Sequence, residues 1–158
     1  MTQNSSIEEK VVFKLKEKGF HVACAESCTG GMIASALVNV AGVSEVLNES
    51  YVTYANSSKH KLLGVEEEVL RTYGAVSRQV AEQMVRGAAR ASGAEAAVAV
   101  TGIAGPDGGT PEKPVGLVYI GCSVKGKLLV TENHFKGSRL EIRKQTARAA
   151  LELLYSCL

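Results

Sequence analysis

Ser27 and Cys28 stand side by side in the stretch "ESCTGG", residues 26–31, directly before two glycines and an amphipathic segment. A hydroxyl and a thiol are both side-chain nucleophiles, and each needs a base or a lowered pKa to act as one. The serine does not lie in a GxSxG elbow, and no Asp/His pair is spaced to complete a triad with it. A neutral lysine can take a serine proton instead, and Lys59 in "TYANSSK" is the candidate base. For Cys28 none of His21, His60 and His134 is placed by sequence to serve. A third stretch, "TGIAGPDGG" at residues 101–109, is glycine-rich, which lets backbone N–H groups approach an anion closely, though it matches neither the Walker pattern nor GxGxxG.

Each feature also has a plainer reading on local sequence. Ser27 reads as a helix N-cap, Lys59 as a solvated surface lysine, Tyr54 as a core residue with a wet hydroxyl, and Cys28 as core packing. Residues 101–109 read equally as a turn-rich loop. Ser58 and Lys61 match S-x-x-K, but the segment is polar and Ser58 is expected to cap a helix.

The elements that must position these residues follow from periodicity and punctuation. Ser6 with Glu9 has capping-box spacing, and Val11, Val12 and Leu15 before Gly19 give a first helix. "FHVACA" reads as a strand, "GMIASALVNVA" as a helix ending near Gly42, and "SYVTYA" as a second strand with Tyr54 near its end. Along that strand Val52 and Tyr54 share one face, Tyr51 and Thr53 the other. A polar helical stretch, "SSKHKLLG", and then "EEEVLRTYG" precede a helix that Ser77 caps and that runs to Gly93. "AEAAVAVTG" is a strand of small apolar residues, as expected where both faces are covered. A long loop holding all three prolines leads to a hairpin around "KGK". Ser138 with Glu141 starts a last helix, with Leu140, Ala147, Leu151 and Leu154 as its buried stripe.

This order predicts one domain over residues 1–158, a three-layer α/β/α sandwich with a mixed, mostly parallel sheet of about five strands. With the first three strands parallel, their carboxyl ends bring "ESCTGG", "TYANSSK" and "TGIAGPDGG" to one sheet edge, where open α/β sheets bind ligands. A net charge of +2 with both signs interspersed offers no basic patch for nucleic acid. No apolar run approaches the ~20 residues that span a bilayer, and "MTQNSSIEEK" lacks the apolar core of a signal peptide, so a cytoplasmic chain without membrane partners is expected. The four cysteines and three histidines are scattered, so neither metal nor cofactor is expected, and Cys24 and Cys122 read as core residues with free thiols. Homo-oligomer formation stays open.

"AESCTGG", "VTYANSSKHKLLGV", "YGAVS" and "TGIAGPDGGTPEKPVG", in this order and spacing, resemble the CinA C-terminal-domain family over nearly the whole chain. The resemblance implies an α/β/α fold and hydrolysis of the carboxamide of nicotinamide mononucleotide to nicotinate mononucleotide and ammonia, by a Ser/Lys mechanism assisted by tyrosine. By motif it assigns the catalytic roles to Ser27, Tyr54 and Lys59. Oxyanion and substrate contacts are then expected from Glu26, Cys28, Thr29, Gly30 and Gly31 in the first loop. Thr101, Gly102, Ala104, Gly105 and Pro106 supply them from the third. The amino-terminal nucleotide-processing domain of longer members has no counterpart in this sequence, so its pyrophosphatase activity is expected to be absent. Two other readings stay open: a non-catalytic module for a phosphorylated ligand or a protein partner, and a cysteine hydrolase using Cys28.

Overall fold

The computed structural model describes residues 5–158. In chain order the elements are α1 (Ile7–Lys18), β1 (Val22–Glu26), α2 (Met32–Val38), a 3-10 turn (Val43–Glu45), β2 (Leu47–Val52), α3 (Asn56–Leu63) and α4 (Glu67–Tyr73). They continue with α5 (Arg78–Ser92), β3 (Ala96–Gly102), β4 (Leu117–Val124), β5 (Lys127–His134) and α6 (Arg139–Cys157). The sheet order is β2-β1-β3-β4-β5, with β1 parallel to both β2 and β3, and β4 antiparallel to β3 and β5. Glu26 pairs with Val52 on one side and Val100 on the other, so β1 and β2 finish level and β3 runs two residues further. Two reversals of direction from β3 through β4 return β5 to the direction of β1, and α6 therefore starts at that same edge.

Helices cover both faces, and alternate strand residues supply two cores. Val22, Cys24, Val98, Val100, Ile120 and Cys122 pack with residues of α1, α2 and α6, while Ala23, Ala25, Ala97 and Ala99 pack under α3 and α5. Alanines on the second face bring α5 close to the sheet. At Gly121 an added Cβ would come within 3.0 Å of the Ala81 carbonyl. The contact between α3 and α5 is closer still: a Cβ at Gly87 would lie 1.9 Å from the Leu63 carbonyl oxygen, which also accepts from Arg90 Nη2 at 3.1 Å. Only glycine allows that spacing, and α3 carries Lys59.

The capping boxes at Ser6/Glu9 and Ser138/Glu141 are present, and Ser77 Oγ accepts from the Val80 amide. Four details differ from the sequence-based expectation. β2 runs Leu47–Val52 and stops before Tyr54, because β1 ends at Glu26 and the Thr53 carbonyl turns to Lys59. α2 ends at Val38, where Asn39 bonds back to the Ala36 carbonyl and tightens the turn before Gly42 adopts φ 78°. Ser58 is not a cap; Ala55 occupies the N-cap of α3 without a side-chain bond. Leu140 is 48 % exposed, and Ile142 instead joins Ala147, Ala150, Leu151 and Leu154 on the buried stripe of α6. Among the described residues, no helix is long and apolar enough to cross a membrane.

Candidate active site

Lys59 is fully buried, which for a lysine requires partners for each N–H. Its Nζ lies 2.7 Å from the Thr53 carbonyl, 3.2 Å from the Tyr54 carbonyl and 3.0 Å from Ser27 Oγ. Carbonyl oxygens only accept, so two of the Nζ hydrogens are committed to residues 53 and 54. The remaining tetrahedral position faces Ser27. In the ammonium form it donates to the hydroxyl; in the amine form it is a lone pair, and the hydroxyl donates to it. Burial pushes the Lys59 ammonium down to about 8, so the amine is accessible near neutral pH.

Ser27 follows the last residue of β1, and its amide still donates to the Val100 carbonyl. Beyond it the chain turns tightly into α2, with Gly30 at φ 60° and Gly31 at φ 106°. α2 has Gly31 at its N-cap and no capping side chain there. Glu26 supplies the cap from the strand side. Its Oε1 accepts from Thr29 Oγ1 at 2.6 Å and from the amides of Gly31 and Ile33 at 3.2 and 2.9 Å, and its Oε2 from the Ala34 amide at 3.1 Å. A carboxylate at a helix N-terminus also meets the positive end of the helix dipole. From the opposite side Arg143 donates to the carbonyls of Cys28 and Thr29, both at 2.9 Å. The Gly30 amide is bonded to the Ser27 carbonyl and the Gly31 amide to Glu26, so neither is left for a developing oxyanion. The amides of Cys28 and Thr29 make no bond to another residue among those described. Burial pushes the Cys28 thiol up to about 11, the opposite of what a nucleophilic thiol needs.

A cavity of about 260 Å³ opens at this edge, lined by Ser27, Cys28, Tyr54, Lys59, Thr101, Gly102, Ala104 and Gly105 from the sequence-based set. Glu26, Thr29, Gly30, Gly31 and Pro106 do not line it. Tyr54 is 60 % exposed, and its phenolic oxygen accepts from Arg139 Nη2 at 2.9 Å while Arg139 Nη1 donates to the Gly105 carbonyl at 2.8 Å. The tyrosine thus meets Lys59 through its carbonyl and not through its phenol. Ala75, Val76, Ile103, Asp107, Gly108 and Arg139 complete the lining. The sequence reading gave Ala75, Val76 and Arg139 no role and set Ile103, Asp107 and Gly108 only within the glycine-rich loop, although the direction of β5 places the first turn of α6 at this edge and so points to Arg139. A larger concavity of about 600 Å³ lies between α1, α2 and α6, but its lining holds neither a buried nucleophile nor a buried base. No cluster of three or more His, Cys, Asp or Glu suited to a metal ion occurs among the described residues.

Residues 4–158 match the family described as the CinA C-terminal domain. A crystal structure of competence/damage inducible protein CihA from Agrobacterium tumefaciens superposes with a TM-score of 0.92 at 48 % identity, covering 99 % of this chain and 98 % of that one. The chain is 51 % identical over 139 residues to nicotinamide-nucleotide amidohydrolase PncC of Enterobacter agglomerans, covering 87 % of this chain and 85 % of that protein. It is 49 % identical over 149 residues to the CinA-like protein of Kosmotoga olearia, covering 94 % of this chain but only 36 % of that longer protein. The chain belongs to the CinA C-terminal domain family.

Proposed function

We propose that the chain is an amidase that hydrolyses nicotinamide mononucleotide to nicotinate mononucleotide and ammonia, with Ser27 as nucleophile and Lys59 as general base. The observation that carries this reading is the buried 3.0 Å contact between Lys59 Nζ and Ser27 Oγ, with the other two Nζ positions taken by carbonyls. Neutral Lys59 takes the hydroxyl proton as Ser27 Oγ bonds to the carboxamide carbon. The amide of Cys28, a residue that lines the cavity, makes no bond to another residue among those described and supplies a donor for the oxyanion. Lys59 then returns the proton to the departing nitrogen, and ammonia leaves. Water attacks the resulting ester, gives its proton to Lys59, and Ser27 regains its hydrogen as the carboxylate product forms.

The kinship to a protein named nicotinamide-nucleotide amidohydrolase supports the choice of amide. Arg139 at the cavity mouth, beside the glycine-rich loop, favours an anionic substrate, and a small soluble nucleotide in the cytoplasm fits a cavity of about 260 Å³. Release of ammonia and of nicotinate mononucleotide by the purified chain tests the reading. Ser27→Ala is expected to abolish turnover and Cys28→Ala to keep most of it, since only the hydroxyl has a base in contact. Loss of activity in a folded Cys28→Ala protein with retention in Ser27→Ala would move the nucleophile to the thiol.

A further inference from the structure

The turn between α4 and α5, residues Tyr73 to Ser77, is held more closely than its surface position requires. Four successive carbonyls there each accept a hydrogen bond from a side chain. Lys113 Nζ donates to those of Tyr73 and Val76, Ser77 Oγ to that of Gly74 at 2.9 Å, and Thr101 Oγ1 to that of Ala75 at 2.7 Å. Lys113 is itself fixed in a short turn of the glycine-rich loop, where its amide donates to Thr110 Oγ1 and its carbonyl accepts from the Thr110 amide. Gly74 makes room for the lysine: a Cβ at that position would lie 3.3 Å from Lys113 Nζ, at a φ of 76° that favours glycine.

The placement of this turn relates it to the reacting serine. Glu26 pairs with Val100, so Ser27, just past the end of β1, lies beside Thr101 near the end of β3, and Thr101 carries the hydroxyl that holds Ala75. Ala75 and Val76 therefore line the same cavity as Ser27, and with Cys28, Ile103 and Ala104 they form its apolar part. A carboxamide brought to Ser27 on an aromatic ring must set the ring beside it, and apolar surface is what an aromatic face seeks.

We propose that the Tyr73–Ser77 turn is the wall against which the substrate's aromatic ring rests, and that Lys113 is the positioning residue that sets this wall. The inference rests on the amidase reading given above. It gives Lys113 a role in affinity for the ring and none in proton transfer.

Calorimetric titration of the full chain with nicotinate mononucleotide and with ribose 5-phosphate, which lacks the ring, tests it. Lys113→Met keeps the aliphatic stem but loses both bonds; it is expected to weaken nicotinate mononucleotide by about tenfold and ribose 5-phosphate by less than about twofold. In turnover the change should fall on KM, with kcat nearly unchanged. Lys113→Arg should restore part of the affinity, since a guanidinium can also serve two carbonyls. Equal weakening of both ligands, or of neither, would overturn the proposal, because a merely structural lysine does not discriminate between them. Should Lys113→Met not fold, Val76→Gly removes the same wall and carries the same expectation. Absence of amidase activity in the unmodified chain is a separate result and overturns the parent reading instead.

Discussion

The two ends of the cavity each hold one cation–hydroxyl contact, of nearly equal length: Lys59 to Ser27 at 3.0 Å and Arg139 to Tyr54 at 2.9 Å. Their surroundings differ. Lys59 is 0 % and Ser27 9 % exposed, whereas Tyr54 is 60 % exposed. At the inner end, removal of water destabilises the charged lysine and makes its proton mobile near neutral pH. At the outer end water screens the pair, and the bond can only hold two side chains in place. Hydrogen-bond length therefore does not separate the pair proposed to react from the pair that only anchors; solvent access does.

The sharpest way to break this comparison is Lys59→Arg, which keeps a cation but cannot release its proton in a protein. Turnover by the folded variant is expected to fall at least ~100-fold, the low end of what general base catalysis contributes. Near-normal turnover would remove Lys59 as the base. The pH profile gives the next largest effect. Activity should rise by roughly tenfold per pH unit up to an inflection near the depressed Lys59 value of about 8. Stability has a definite sign over the same range. The unfolded chain holds the Lys59 proton up to about 10.5 and the folded chain only to about 8, so the burden on folding is full below 8 and is relieved as pH rises through that window. Denaturant unfolding should show the parent gaining on Lys59→Met across the window, while the buried thiols of Cys24 and Cys122, whose pKa values burial raises, pull both proteins the other way alike. A constant difference between the two proteins would mean that burial does not depress Lys59. The smallest effect is expected from Tyr54→Phe, which deletes the acceptor of an exposed bond and leaves the Tyr54 carbonyl on Lys59. A loss of about tenfold or less, mainly in KM, is expected. A loss as large as that of Lys59→Arg would place the phenol in the proton path and erase the distinction between the two ends.

Much of the fold was legible because each element announced itself locally. Capping boxes at Ser6 and Ser138, the Ser77 cap, and glycines closing several helices gave boundaries, and the alanine-rich β3 gave its own burial. The convergence of three loops followed from parallel strands alone. What local reading could not supply was burial and long-range contact. Nothing in "SSKHKLLG" distinguishes the buried Lys59 from the exposed Lys61, since the difference depends on where α3 packs. Glu26 in a strand gives no sign that it caps a helix with four hydrogen bonds across a turn. Leu140 fitted the apolar period of α6 but lies in its first turn, where no layer covers it. Arg139 acts on a phenol 85 residues away in sequence and Arg143 on carbonyls 114 and 115 away, and no spacing rule reaches that far.

Gly87 contributes no atom to the cavity, yet the missing methyl group at this position fixes the separation of α5 from α3 and, one helical turn before Leu63, the height of Lys59 above Ser27. Mutational tolerance along α5 should therefore be set by proton-transfer distance as well as by packing. A library scored for folded protein and one scored for amide hydrolysis would disagree most on this helix, at a residue with no functional group at all.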